Sequence, residues 1–162
     1  MREYTLSGKN MTIVGSNTLA FLNPAAGRAI EITGVDVSQF GTAVAQQIGI
    51  EVGTKVTAFP TLVSATPAKT KASDAVSSIV GGTAGAAGTC GVNASAEGGG
   101  AITTIWPDAF NNLTPWIWTP MSTLGQTIVI AGQDAVGFYV KLQMTPTTLT
   151  GWNATITYRE VS

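Results

Sequence analysis

The sequence predicts a single all-β domain, folded as an antiparallel β-sandwich or jelly roll of about eight strands. The chain of 162 residues has the length of one ordinary domain. Short segments of alternating apolar and polar residues recur along it, separated by glycine, proline and asparagine turn signals. No segment carries the amphipathic pattern of a long helix, although one helical turn is compatible with residues 73–79 or 107–112.

The clearest alternation lies near the C-terminus. Residues 138–144 and 152–158 each place apolar side chains at every second position, which predicts two half-buried strands. About seven residues separate them, too few for a helical crossover, so we expect the two strands to be antiparallel if they are neighbours. Six earlier segments have the same character: 29–37, 47–52, 56–63, 101–106, 116–119 and 127–131.

Two segments leave alternatives open. Residues 1–10 are either an N-terminal arm or a first strand, with the β-sandwich domain formed by residues 11–162. In an arm, Tyr4 and Leu6 would lie on one face and add a strand to a neighbouring sheet. The glycine-rich residues 81–100 predict a long loop or extended arm, or a strand of very small residues that lets neighbouring subunits approach closely.

The composition restricts the partners. Charged residues make up 10% of the chain, against about 25% in an average domain. With a net charge of -1 and no run of Lys or Arg, we expect no nucleic acid as a partner. No apolar run reaches the roughly 20 residues of a membrane helix, and the polar start does not resemble a secretory signal. A surface with so few charges favours a homo-oligomer.

The chain also lacks the usual catalytic groups. It contains no histidine and one cysteine, Cys90, which rules out a Ser-His-Asp relay and a zinc site built from cysteine and histidine. None of the acidic residues has an acidic neighbour in the sequence. Gly82–Gly88 is not followed by the helix that a phosphate-binding loop needs. We therefore expect no enzyme activity, no cofactor and no metal.

Aromatic residues are concentrated in one short segment. Trp106, Phe110, Trp116 and Trp118 lie close together in sequence among three prolines. We expect these side chains to lie in the core or at a subunit interface. The alternative is a platform on which sugar rings stack.

Four loose motifs in this order resemble the small β-rich virion proteins of tailed bacteriophages, and among these the head decoration, or cement, proteins. The motifs are Gly85–Ala94 (GAAGTCGVNA), Ile105–Phe110 (IWPDAF), Gly137–Leu142 (GFYVKL) and Gly151–Glu160 (GWNATITYRE). The resemblance extends over most of the chain and depends on the four motifs together, in this order.

The resemblance implies a non-catalytic structural protein that forms a homotrimer and braces the capsid surface. Its partners would be further copies of itself and the major capsid protein, and it would assemble in the host cytoplasm. The alternative is a receptor-binding or carbohydrate-binding module of a tail fibre, with a glycan as partner. The candidate residues for an oligomer or capsid interface are Tyr4, Leu6, Trp106, Phe110, Trp116 and Trp118.

Overall fold

A computed structural model describes residues 1–120, 127–132 and 135–161, and these residues form two β-sheets packed face to face. The strands are β1 (Arg2–Met11), β2 (Thr18–Leu22), β3 (Ala29–Gln39), β4 (Gln47–Val56), β5 (Thr61–Ser64), β6 (Ala68–Lys69), β7 (Val80–Gly81), β8 (Thr89–Ala96), β9 (Ile102–Asn111), β10 (Trp116–Trp118), β11 (Ile128–Ala131), β12 (Val136–Leu142) and β13 (Trp152–Val161).

The first sheet has the order β10-β3-β13-β1-β6, with β11 also paired to β3. The second has the order β5-β8-β2-β12-β4-β9, with β7 also paired to β8. Every pairing is antiparallel except the short parallel contact of β7 with β8. The predicted all-β antiparallel sandwich is confirmed. Because β12 and β13 lie in different sheets, they are not the neighbouring pair that the sequence allowed.

The two sheets enclose one main core. On β13, Trp152, Ala154, Ile156 and Tyr158 are buried at every second position, as the alternation predicts. The apolar side chains of β12 join the same core from the opposite sheet. Met144 does not, because β12 ends at Leu142 and Met144 is exposed in the following loop.

The described residues form thirteen strands, so the expected number of about eight is too low. The five additional strands are β1, β2, β6, β7 and β8. Strand β2 shows no alternation because it is buried on both faces: Leu22 joins the main core, and Phe21 joins a small second cluster with Leu62 and Tyr139. The segment predicted as one strand over 56–63 is interrupted between Val56 and Thr61.

The N-terminal segment is a strand within the first sheet. Strand β1 lies between β13 and β6, and it pairs with β13 from Arg2 to Met11. Tyr4 and Leu6 are fully buried in the main core. Their expected place at an interface is therefore wrong: their alternation reflects burial against the chain's own second sheet.

The glycine-rich segment contains a buried strand, which corrects the expected loop over residues 81–100. Cys90, Gly91 and Val92 are buried in β8. A Cβ atom at Gly91 would lie 2.7 Å from both the Leu62 Cβ and the Val63 carbonyl oxygen. The small residues thus permit a close approach, and the segment that approaches is the chain's own β5.

Candidate functional site

An apolar cleft lies at one open side of the sandwich. Among the described strands, β9 is an edge of the second sheet, and β10 and β11 share an edge of the first. These edges enclose a cleft of about 710 Å³. The residues that line it are Ile105, Trp106, Asp108, Ile117, Trp118, Thr119, Pro120, Thr127 and Ile128.

A β-bulge shapes the β9 wall of the cleft. Val52 of β4 pairs with Trp106 and Gly53 pairs with Thr104, which leaves Ile105 without a partner. In a regular strand, adjacent side chains point to opposite faces of the sheet. Because the bulge breaks this alternation, both Ile105 and Trp106 line the cleft.

The cleft exposes large apolar side chains to solvent. Trp106 is 48% exposed and Ile117 is 68% exposed. Trp118 is half-buried and packs against the main core. Apolar surface of this kind on a folded domain marks a site of contact with another molecule when it is contiguous.

Asp108 is the charged residue of the lining, and each of its oxygens accepts a hydrogen bond. Oδ1 accepts a hydrogen bond from the Ala109 N–H at 2.8 Å, and Oδ2 accepts one from the Trp116 indole N–H at 2.9 Å. The indole bond, followed by the backbone bond, lowers the pKa of Asp108. The carboxylate therefore stays ionised near neutral pH and holds Trp116 in place; it is not poised to transfer a proton.

The outer edge of β9 is protected against the addition of another strand. Pro107 has no N–H to donate, and the Ala109 N–H already bonds to Asp108. The bulge at Ile105 interrupts the edge further. Because proline, a charge and a bulge all discourage edge-to-edge pairing, this edge is poorly suited to main-chain pairing with another strand.

The structure separates the predicted interface residues into three groups. Trp106 and Trp118 line the cleft. Trp116 and Phe110 are buried behind it, and the Phe110 and Trp152 rings form a T-shaped pair with centroids 6.4 Å apart. Tyr4 and Leu6 lie in the core, away from the cleft. The expectation for the aromatic segment is core packing or a subunit interface; Trp116 and Phe110 are buried in the core, and Trp118 is partly buried against it.

The sequence analysis missed the aliphatic members of the lining. Ile117 lies between two tryptophans on a three-residue strand, at the position where alternation predicts a polar residue. That departure from the pattern was the available signal. Ile105 had no such signal, because its direction depends on the bulge.

Potential metal ligands are not clustered in the described residues. No group of three or more His, Cys, Asp or Glu side chains in that part of the chain is arranged to hold a metal ion. Cys90 is buried, and burial raises the pKa of its thiol to about 12. In the described ranges, no helix is long and apolar enough to cross a membrane.

Comparisons with known proteins do not assign a family. No protein-family model, no curated protein and no solved structure matches this chain. The fold and the apolar cleft are therefore the observations on which a function is proposed.

Proposed function

We propose that this protein is a structural virion protein of a tailed bacteriophage, which forms a homo-oligomer, most simply a trimer, and decorates the capsid. In this proposal the cleft receives an apolar segment of the major capsid protein. The observation that carries the proposal is the exposed cleft of Ile105, Trp106, Ile117 and Trp118, in a chain with 10% charged residues.

The energetics suit a protein that acts in many copies. Burying apolar surface contributes about 25 cal/mol per Å², and tryptophan is among the residues that dominate interface energies. One such cleft supports a contact of modest strength. When linked copies bind together, the second contact becomes intramolecular, and avidity exceeds the single affinity.

The chemistry of the chain supports a non-catalytic role. The sequence has no histidine to shuttle protons near neutral pH. Asp108 is held by two hydrogen bonds, and Glu51 accepts one from the Tyr139 hydroxyl at 2.9 Å. These carboxylates have structural partners.

A glycan-binding module is the second candidate. The half-exposed ring of Trp106 beside Asp108 favours it, because sugar sites combine an aromatic face with polar groups. Most of the lining around Asp108 is apolar, however. This favours an apolar protein segment over a sugar.

The test is co-sedimentation of the purified protein with undecorated capsids. Trp106→Lys should lower capsid occupancy at least tenfold, since it places a charge in the apolar cleft. Val63→Lys is the matched control, because Val63 is similarly exposed but lies on β5 at the opposite edge of the second sheet; it should bind like the wild type. Equal occupancy for both variants, or no binding by the wild type, would overturn the proposal. Wild-type binding to a glycan array that Trp106→Lys abolishes would favour the second candidate.

A further inference from the structure

The apolar cleft contains one negative charge. Asp108 is the charged residue of its described lining, and it takes part in neither of the two ion pairs that the described residues form. The two hydrogen bonds to its carboxylate come from neutral donors, the Ala109 N–H and the Trp116 indole. The charge of Asp108 is therefore not balanced by a cation in the described part of the chain.

The Asp108 carboxylate has room for further hydrogen bonds. A carboxylate offers about four lone-pair sites on its two oxygens, and the two neutral donors take one site on each oxygen. The residue is also exposed, so that a group entering the cleft reaches it. Asp108 thus accepts a cationic donor without releasing Trp116.

An aromatic ring lies next to this carboxylate. Trp106 and Asp108 are two residues apart on β9, in the regular part of the strand that follows the bulge. Side chains two residues apart in a strand point to the same face and are separated by about 7 Å. Trp106 is half-exposed in the same lining. An indole ring attracts a cation placed over its face, so the ring and the carboxylate favour the same kind of ligand.

The apolar walls increase the value of such a contact. Ile105, Ile117 and Trp118 line the cleft beside the two residues. An occupant that fills the cleft excludes water from Asp108, and opposite charges attract more strongly where water is excluded. A wholly apolar occupant would instead bury the Asp108 charge without a partner, which is costly.

We infer that the segment received by the cleft presents an arginine, whose guanidinium pairs with the Asp108 carboxylate and lies against the Trp106 ring, with apolar residues on either side of it. This inference rests on the proposed function, because it takes the cleft as the contact site and names the chemistry of the segment that enters it.

The shape of the site favours arginine over other charged groups. A guanidinium is planar and weakly hydrated, its forked N–H groups match a carboxylate, and its flat face stacks on aromatic rings. The lysine ammonium is a strongly hydrated point charge and gains less from an aromatic ring between apolar walls. An acidic side chain would be repelled by Asp108.

The main test is a nuclear magnetic resonance titration of the full chain with two probe peptides. Both are acetylated and amidated, and both carry two leucines on each side of a central residue, which is arginine in one and citrulline, its neutral isostere, in the other. The arginine peptide should bind at least tenfold more tightly, with the indole N–H signals of Trp106 and Trp118 shifting most. Added salt should narrow the difference, because salt screens the attraction to Asp108.

Two variants assign the preference to Asp108. Asp108→Asn removes the charge and keeps an acceptor oxygen for the Trp116 indole, so it should bind the two peptides equally. Glu3→Gln is the matched control: it removes one negative charge from β1, which β13 and β3 separate from β10, and it should keep the tenfold preference. Circular dichroism checks that both variants are folded.

Three results of this titration would overturn the inference. They are equal affinity of the wild type for the two peptides, a preference for arginine that persists in Asp108→Asn, and binding of neither peptide. The last result together with wild-type binding to a neutral oligosaccharide would assign the cleft to a glycan instead.

A further variant tests the role of the ring. Trp106→Leu keeps an apolar side chain in the cleft but removes the aromatic face, so it should weaken the arginine peptide more than the citrulline peptide. Equal weakening of the two peptides would contradict the placement of the guanidinium against Trp106.

Capsid binding separates this inference from the proposed function. If the wild type prefers the arginine peptide and Asp108→Asn does not, while the wild type ignores capsids, the inference stands and the virion role fails. If Asp108→Asn occupies capsids as fully as the wild type and Trp106→Lys does not bind them, the virion role stands and the inference fails.

Discussion

Single buried side chains connect distant parts of this sandwich. Lys55 is 3% exposed, and its Nζ lies 3.6 Å from Glu97 Oε2. The Glu97 carboxylate also accepts hydrogen bonds from the hydroxyl and the N–H of Thr18. One carboxylate thus joins β2 and β4 to the connection between β8 and β9.

Glu97→Gln should destabilise the protein by about 3 kcal/mol, because removing one partner of a buried pair leaves an uncompensated charge. Urea unfolding measures the change. Glu3→Gln is the control: Glu3 pairs with Arg159 at 3.0 Å, but both side chains are substantially exposed, so its loss should cost less than about 1 kcal/mol. Equal losses of unfolding free energy in the two variants would show that buried Lys55 does not need Glu97 as its charge partner.

Burial raises the pH at which several side chains ionise. Burial raises the pKa of Cys90 from 9.0 to about 12, and burial likewise raises the pKa of Tyr139 from 10.0 to about 12. The pKa of Tyr158 is raised for the same reason. Because each folded pKa exceeds the unfolded value, the folded state binds these protons more tightly, and stability falls once the unfolded chain releases them.

The melting temperature should therefore be steady from neutral pH to about pH 9 and should fall as the pH rises from there towards about 12. Cys90→Ala should reduce the fall in the lower part of this window, where the thiol of the unfolded chain ionises first. A thiol reagent at about pH 8 should label Cys90 only after denaturation, since the thiolate is the reactive form. Rapid labelling of the folded protein would contradict the assigned burial.

At the scale of strands, the sequence predicts those elements that have one buried face. The alternation in β13 identifies Trp152, Ile156 and Tyr158 as core residues, and the structure confirms it. Alternation does not predict strand β2, because Phe21 is covered by a second cluster on the outer face of its sheet. Alternation does not predict strand β8 either, because its glycine and alanine residues contrast too little in hydrophobicity with their polar neighbours.

The close packing around β8 predicts a strong effect of one methyl group. Gly91→Ala should lower the free energy of unfolding by about 1–3 kcal/mol, because its Cβ would meet Leu62 and the Val63 carbonyl at 2.7 Å. Gly99→Ala should be nearly neutral, since nothing lies within 4 Å of a Cβ there. Chemical denaturation of the two variants compares them directly. Similar stabilities would mean that β5 does not approach β8 this closely.

At the scale of the whole molecule, the proposed site depends on long-range topology. Trp106 and Trp118 were recognisable as candidates from the sequence, but their cleft forms only because edges of different sheets meet on one side. Loops 40–46 and 112–115 are likewise far apart in the sequence. Strand direction and the hydrogen bonds of Asn112 bring them to one end, and no local pattern predicts that.

Electron cryomicroscopy of undecorated capsids, imaged with and without the purified protein, tests the central claim most directly. We expect added density at regular positions on the outer shell, in clusters of three copies, with β9, β10 and β11 against the shell. A shell whose map is unchanged at saturating protein would contradict it.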